Sequence, residues 1–417
     1  MITKYSPGIK YLILILPVFI YAESLKSLIE YATTKNELII SKDLSAQSKA
    51  SVLKSSESSL FPTIDVGGYY MRSDDASPFQ SGTTYSGYAK VAYDIYTGGK
   101  KTNTIEQKKN EYKSSSFEYE ATKNSIELAI VQDFYNIKSL NATLLARLDA
   151  SNAVKAQLER MKKFLKASLA TSDDVDRLQS AYDKNIYGIE QLKFEILSLW
   201  KSLELKVGKE IKSLDESVFK KIDDTQEDEL DNIKALRATK KSILNASEII
   251  DSFYYPQIKI EDTYSLYGYD DEPTGLPIEL LDNQNKIMAT LNFRVFDYGS
   301  IGEAKMSVRL SADALNEQIT YQTKEQKLQQ DLAKHRILTA TLNIKSSASA
   351  LKSGTSALET ITQKYNSGIV DNVVYLDALT SQTDAKAMYE SSLNNLELAY
   401  ALYYYYNGKK LKEFLNE

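Results

Sequence analysis

The chain is 417 residues long, with a formal net charge of −5, one histidine and no cysteine. Disulfides, thiolate metal centres and cysteine nucleophiles are therefore excluded, and His335 alone gives a catalytic triad or metal site nothing to build on. The charge balance is not that of a nucleic-acid binder. Tyr96-Thr97-Gly98-Gly99-Lys100 contains Gly-Gly-Lys but lacks the spacing of a phosphate loop. The expectation is a protein that is not an enzyme, with no cofactor and no metal.

Residues 1–22 read as a cleaved signal peptide: Lys4 and Lys10, an apolar run from Tyr11 to Ile20, and a small residue, Ala22, at the cleavage point. Its removal takes the formal charge from −5 to −7, because it carries two lysines and no acid. Beyond it no run of about 18 apolar residues occurs, so membrane insertion falls to strands, which need only about ten half-apolar residues.

Residues 23–207 form a first repeat. An opening helix stops at Phe61-Pro62, because proline disfavours helix in the residue before it. Strict alternation then predicts strands at about 63–72 and 86–97. Ile64, Val66, Tyr70, Ala89, Val91, Tyr93 and Ile95 take the apolar faces, with Asp65, Lys90 and Asp94 on the polar ones. A helix at about 100–165 follows, about 100 Å long at about 1.5 Å per residue. It breaks at Ser168, where a positive φ would cost about 1 kcal/mol relative to glycine. Thr171-Ser172-Asp173-Asp174 then supplies an N-cap cluster for a return helix at about 174–207. Residues 208–231 read as a linker, acidic from Asp223 to Asp231.

Residues 232–407 repeat this plan two hundred positions later. Met288–Gly299, MATLNFRVFDYG, matches Tyr88–Gly99, YAKVAYDIYTGG, and Tyr255-Pro256 matches Phe61-Pro62. Strands are expected at about 256–268 and 286–297, with Asn292 and Arg294 on the polar face of the second. A helix at about 300–365, a turn at Tyr365-Asn366-Ser367-Gly368, an N-cap at Asp371, a return helix at about 372–407 and a tail over 408–417 complete the chain. Seven-residue spacing runs through Ile130, Ile137, Leu144, Ser151, Leu158 and Leu165, and again through Gln330, Ile337, Ile344, Leu351, Leu358 and Tyr365. Such spacing predicts supercoiled helices. Small residues at Ala333, Ala340, Ser347 and Gly354 predict close helix approach. Four strands cannot close a barrel and lipid does not tolerate open edges, so several copies must pool their strands.

The repeat, the proline breaks, the strand–glycine turns at Asp94–Gly99 and Arg294–Gly299, the Tyr365–Gly368 turn and the segment Val374-Tyr375-Leu376-Asp377-Ala378 resemble the TolC-like outer membrane efflux protein family. The resemblance covers nearly all of the mature chain. It implies a mainly α fold with membrane β-structure: a homotrimer whose twelve-stranded outer-membrane β-barrel, four strands per chain, continues into a long periplasmic α-helical coiled-coil tunnel. Lys90, Asp94, Asn292 and Arg294 would face the barrel lumen, and Ser168 and Gly368 would mark the helical tips. Family aspartates line the periplasmic entrance; Asp377 fits one such position, Val374 occupies its neighbour, and Asp174 is the first-repeat counterpart. Asp173, Asp174 and Asp371 equally suit helix capping.

The implied partners are outer-membrane lipid, a periplasmic adaptor and an inner-membrane transporter of the RND or ABC type, with no nucleic acid. The implied function is a passive exit duct for efflux or type I secretion. Two alternatives stand beside it. A periplasmic adaptor would show one helical hairpin inside a β-rich lipoyl-like region, and a structural coiled-coil envelope protein would have no use for duplicated strands.

Overall fold

The computed structural model describes residues 23–74, 81–222, 226–270 and 280–416. The signal-peptide reading of residues 1–22 and the first three residues of the acidic run, 223–225, lie outside the described residues. Seven helices and four strands follow in order: α1 (Leu25–Lys35), α2 (Glu37–Ser58), β1 (Thr63–Arg72), β2 (Thr83–Tyr96), α3 (Lys100–Lys166), α4 (Ser172–Val207), α5 (Asp231–Asp251), β3 (Gln257–Asp270), β4 (Asn283–Asn292), α6 (Ser300–Asn366) and α7 (Asn372–Tyr406). Single 3-10 turns lie at Ser252–Tyr254 and Leu411–Phe414. The two long helices, α3 and α6, have 67 residues each.

The strands form one antiparallel sheet in the order β1-β2-β3-β4. Its register brings the apolar positions into common rows: Ile64 with Val91, Val66 with Ala89 and Tyr264, Tyr93 with Ile260 and Ala289. Exposure alternates along the central strand β2. Tyr85, Gly87, Ala89, Val91 and Tyr93 of β2 are exposed, whereas Thr84, Ser86 and Ala92 are buried and Tyr88, Lys90 and Asp94 half-buried. The sheet therefore curls with its polar face concave and its greasy face outward, leaving Ile64 and Val66 74% and 83% exposed. Asp262 breaks the pattern on the outward face, between Val91 and Ile287, and nothing in the structure explains it.

The expected strand limits need correction in two respects: β2 and β4 each begin three residues early, at Thr83 and Asn283, and β4 stops at Asn292 instead of near 297. The reason for the second lies in β3, which starts at Gln257 behind Pro256, so the last ladder pair is Gln257–Asn292. Beyond it β4 finds no backbone partner. Arg294 is thus not on a strand; it sits in the exposed, unpaired stretch from Phe293 to Phe296.

Two apolar clusters hold the helices. One gathers Leu25, Leu28 and Ile29 of α1, Ile130, Phe134, Tyr135 and Ile137 of α3, and Tyr400 and Tyr404 of α7 under Phe219, Leu411 and Leu415. The linker and tail wrap this level as a belt, through bridges Glu23–Leu214 and Phe219–Leu415. The other cluster, near the hairpin tips, joins Val154, Leu158, Leu178, Tyr365, Tyr375 and Leu379. Small residues draw α6 and α7 together between them. A Cβ on Gly354 would lie 3.3 Å from the Gln382 Cα, and the Ser347 and Ser392 hydroxyls meet at 3.0 Å.

Candidate functional site

The concave face of the sheet is a polar wall with two zones. Near the helices it is charged: Lys259 Nζ lies 2.8 Å from Glu261 and Lys90 Nζ 3.9 Å from the same carboxylate. Asp94 pairs with Lys101 at 3.0 Å, and Lys101 also donates to the Ser59 carbonyl at 2.6 Å. Toward the far rim the inward rows become neutral, Tyr69–Ser86–Tyr267 and Met71–Thr84–Tyr269. Of the residues expected to line the lumen, Lys90, Asp94 and Asn292 belong to this face by register, and Arg294 lies beyond the ladder.

At the opposite end stand the helical tips. Ser168 takes φ 60° and Gly368 φ 72°, and each turn closes the same way. The Leu169 amide donates to the Phe164 carbonyl at 2.8 Å, and the Ile369 amide to the Lys364 carbonyl at 2.9 Å. Three of the four tip aspartates are committed to this local structure. Asp174 accepts from the Thr171 hydroxyl at 2.7 Å and its amide at 3.2 Å, Asp371 accepts from the Val373 and Val374 amides at 3.1 Å, and Asp173 pairs with Arg177 at 2.8 Å. Asp377 differs. It is exposed more than a turn inside α7, with no hydrogen bond or ion pair among the described residues.

The two tips are also tied together, by residues that sequence reasoning missed. Arg160 donates to the Asn366 side chain at 2.5 Å and its carbonyl at 3.3 Å, and Asn372 donates to the Asp174 carbonyl at 3.2 Å. These contacts join residues about two hundred positions apart, where no local pattern points to them. Higher up, Arg147–Asp384 at 2.9 Å and Lys386–Asp149 at 2.7 Å pin α3 to α7.

The chain is a strip with two open edges. Its upper helices touch in the order α2-α3-α5-α6 and its lower ones in the order α4-α3-α7-α6. One edge therefore carries β1, α2 and α4; the other carries β4 and α6. Both are greasy. Tyr187, Phe194, Leu197 and Leu205 stand exposed on α4, and Leu328, Leu332, Leu338 and Leu342 on α6, beside a groove of about 740 Å³.

No protein-family model matches the chain, and no curated protein does. Solved structures do. The Campylobacter jejuni CmeC outer membrane channel is similar at TM-score 0.84 and 14% identity, over 92% of this chain and 85% of that one. A membrane protein from Pseudomonas aeruginosa is similar at TM-score 0.82 and 14% identity, over 92% and 93%. The outer membrane protein VceC of Vibrio cholerae is similar at TM-score 0.79 and 13% identity, over 93% and 96%. The chain has the fold of these proteins.

Proposed function

We propose that three copies of this chain close head to tail into a passive duct through the outer membrane, reaching down into the periplasm. The observation that carries this reading is the pair of open edges. A strip whose unpaired strands and unpartnered helix seams lie at the same two ends buries both only by joining the next copy through a heterologous contact, and rotation closes the ring. Four strands per chain make twelve in three copies, enough for a barrel with a polar interior and no edge in lipid. The outward face fits lipid. Its apolar rows are bounded by exposed Phe61, Tyr96, Tyr255 and Phe296 at the helical end and by Tyr70 and Tyr85 at the other, in the manner of interfacial aromatic belts.

The helical half forms the periplasmic tunnel, and three Asp377 carboxylates ring its entrance, where their combined field attracts cations. The tips meet a periplasmic adaptor, and an inner-membrane pump of the RND or ABC type supplies the energy for export. The adaptor reading is disfavoured because both helical hairpins are led by a strand pair from one sheet. Outer membranes extracted in detergent should yield heat-resistant trimers that conduct ions in planar bilayers; a monomer soluble without detergent would sink the proposal.

A further inference from the structure

Glu127 of α3 is 1% exposed, and neither of its carboxylate oxygens has a hydrogen-bond partner among the described residues. A buried carboxylate without a hydrogen-bond partner is expensive, and its neutral form is the cheaper one. The charged groups that act on it are Lys123 and Glu120 of its own helix and Lys410 and Lys412 of the C-terminal tail. The tail lies against α3 here, with Lys410 Nζ 3.9 Å from Glu120, and Leu411 and Leu415 share the apolar cluster with Leu128. From the other elements, α5 brings Asp231, held by Asn124 at 3.0 Å and Lys234 at 2.9 Å. From α7 comes Glu397, which accepts from the Phe219 amide at 2.7 Å. The α1 residues in this cluster are apolar.

We propose that Glu127 is a proton-operated clasp for the belt: neutral, it lets the C-terminal tail seat on α3, and ionised, it loosens that seat. The tail does not move alone. Lys220 donates its amide to the Phe414 carbonyl at 2.7 Å and Asn416 donates to the Val218 carbonyl at 3.0 Å, so the linker strand loosens with it. Burial is the main cause that pushes the Glu127 carboxyl up from 4.5 to about 7. A carboxyl raised in the closed state loses stability as pH climbs between its open and closed values. Closure is therefore complete in acid, weakens from pH 4.5 upward, and levels off above about 7. The clasp operates within one chain and stands whether or not the trimer conducts.

Hydrogen exchange of residues 409–416, in detergent-solubilised protein and corrected for the intrinsic pH dependence of exchange, tests it. Opening should rise up to about tenfold per pH unit and flatten above about 7. Glu127→Gln, isosteric and neutral, should abolish the slope. Lys412→Met removes an attracting cation and should carry the rise to higher pH before it flattens. A pH-independent wild type, or a Glu127→Gln protein with the wild-type slope, overturns the clasp. An unmoved plateau in Lys412→Met overturns the role given to the tail.

Discussion

Ser168 holds φ 60° where the second repeat uses Gly368, so the first tip carries strain that the second avoids. Ser168→Gly should stabilise that tip locally by about 1 kcal/mol, read as slower hydrogen exchange around residues 163–175. Faster exchange in the variant would contradict the strain assigned to the serine. Asp377 poses a different question, since it contributes to no cap and no ion pair. Its replacement by alanine should leave thermal stability within about 0.5 kcal/mol, as for other exposed positions. It should also weaken block of the single-channel current by multivalent cations. Unchanged block would remove Asp377 from the entrance. The neighbouring aspartates behave otherwise: Asp371→Ala deprives two amides of their acceptor and should cost about 1 kcal/mol.

Between elements, the duplicated strand-to-helix turn places its two positive-φ positions, 98/298 and 99/299, under different loads. Gly98 has φ 62°, and a Cβ there would fall 2.7 Å from the Ser252 carbonyl oxygen and from the Tyr255 Cβ. Gly299 has φ 82° with open space around it. Gly299→Ala should therefore cost only the conformational term, about 1 kcal/mol, while Gly98→Ala adds a clash between backbones and should cost several times more. Thermal denaturation of the two variants in detergent gives the comparison, and equal losses would refute it. The link between the tips belongs to the same scale. The Arg160–Asn366 hydrogen bonds are exposed, with Arg160 itself half-buried, so Arg160→Ala should scarcely change overall stability, yet it frees two hairpins to separate. The expected outcome is larger or more frequent channel opening without adaptor, in single-channel recordings.

For the whole molecule, the decisive quantity is apolar surface that one chain cannot cover. The α4 and α6 seams each expose several large side chains at heptad spacing, and burying such a side chain is worth about 1.5–3 kcal/mol. Placing charges there, as in Leu328→Asp with Leu342→Asp, should shift the proposed trimer toward monomer while each chain keeps its helicity. Mass photometry and circular dichroism in detergent would show it. An intact trimer in that double variant would mean that the open edges close by some other route.

The amino-acid sequence by itself determined the repeat, the four strands, the two 67-residue rods and the tip turns, because alternation, heptad spacing, proline breaks and capping residues act over short distances. The strand faces were legible too, since the alternation persists even though Asp262 interrupts the apolar row. What only the tertiary structure decided involves partners far apart in the chain. β4 ends at Asn292 because of where β3 begins, which leaves Arg294 beyond the ladder. Arg160 finds Asn366, and Asp173, Asp174 and Asp371 find local partners while Asp377 has none among the described residues. Glu127 looks like any helix-surface acid until the fold buries it. Periodicity reveals which face a residue occupies; only packing reveals what meets that face.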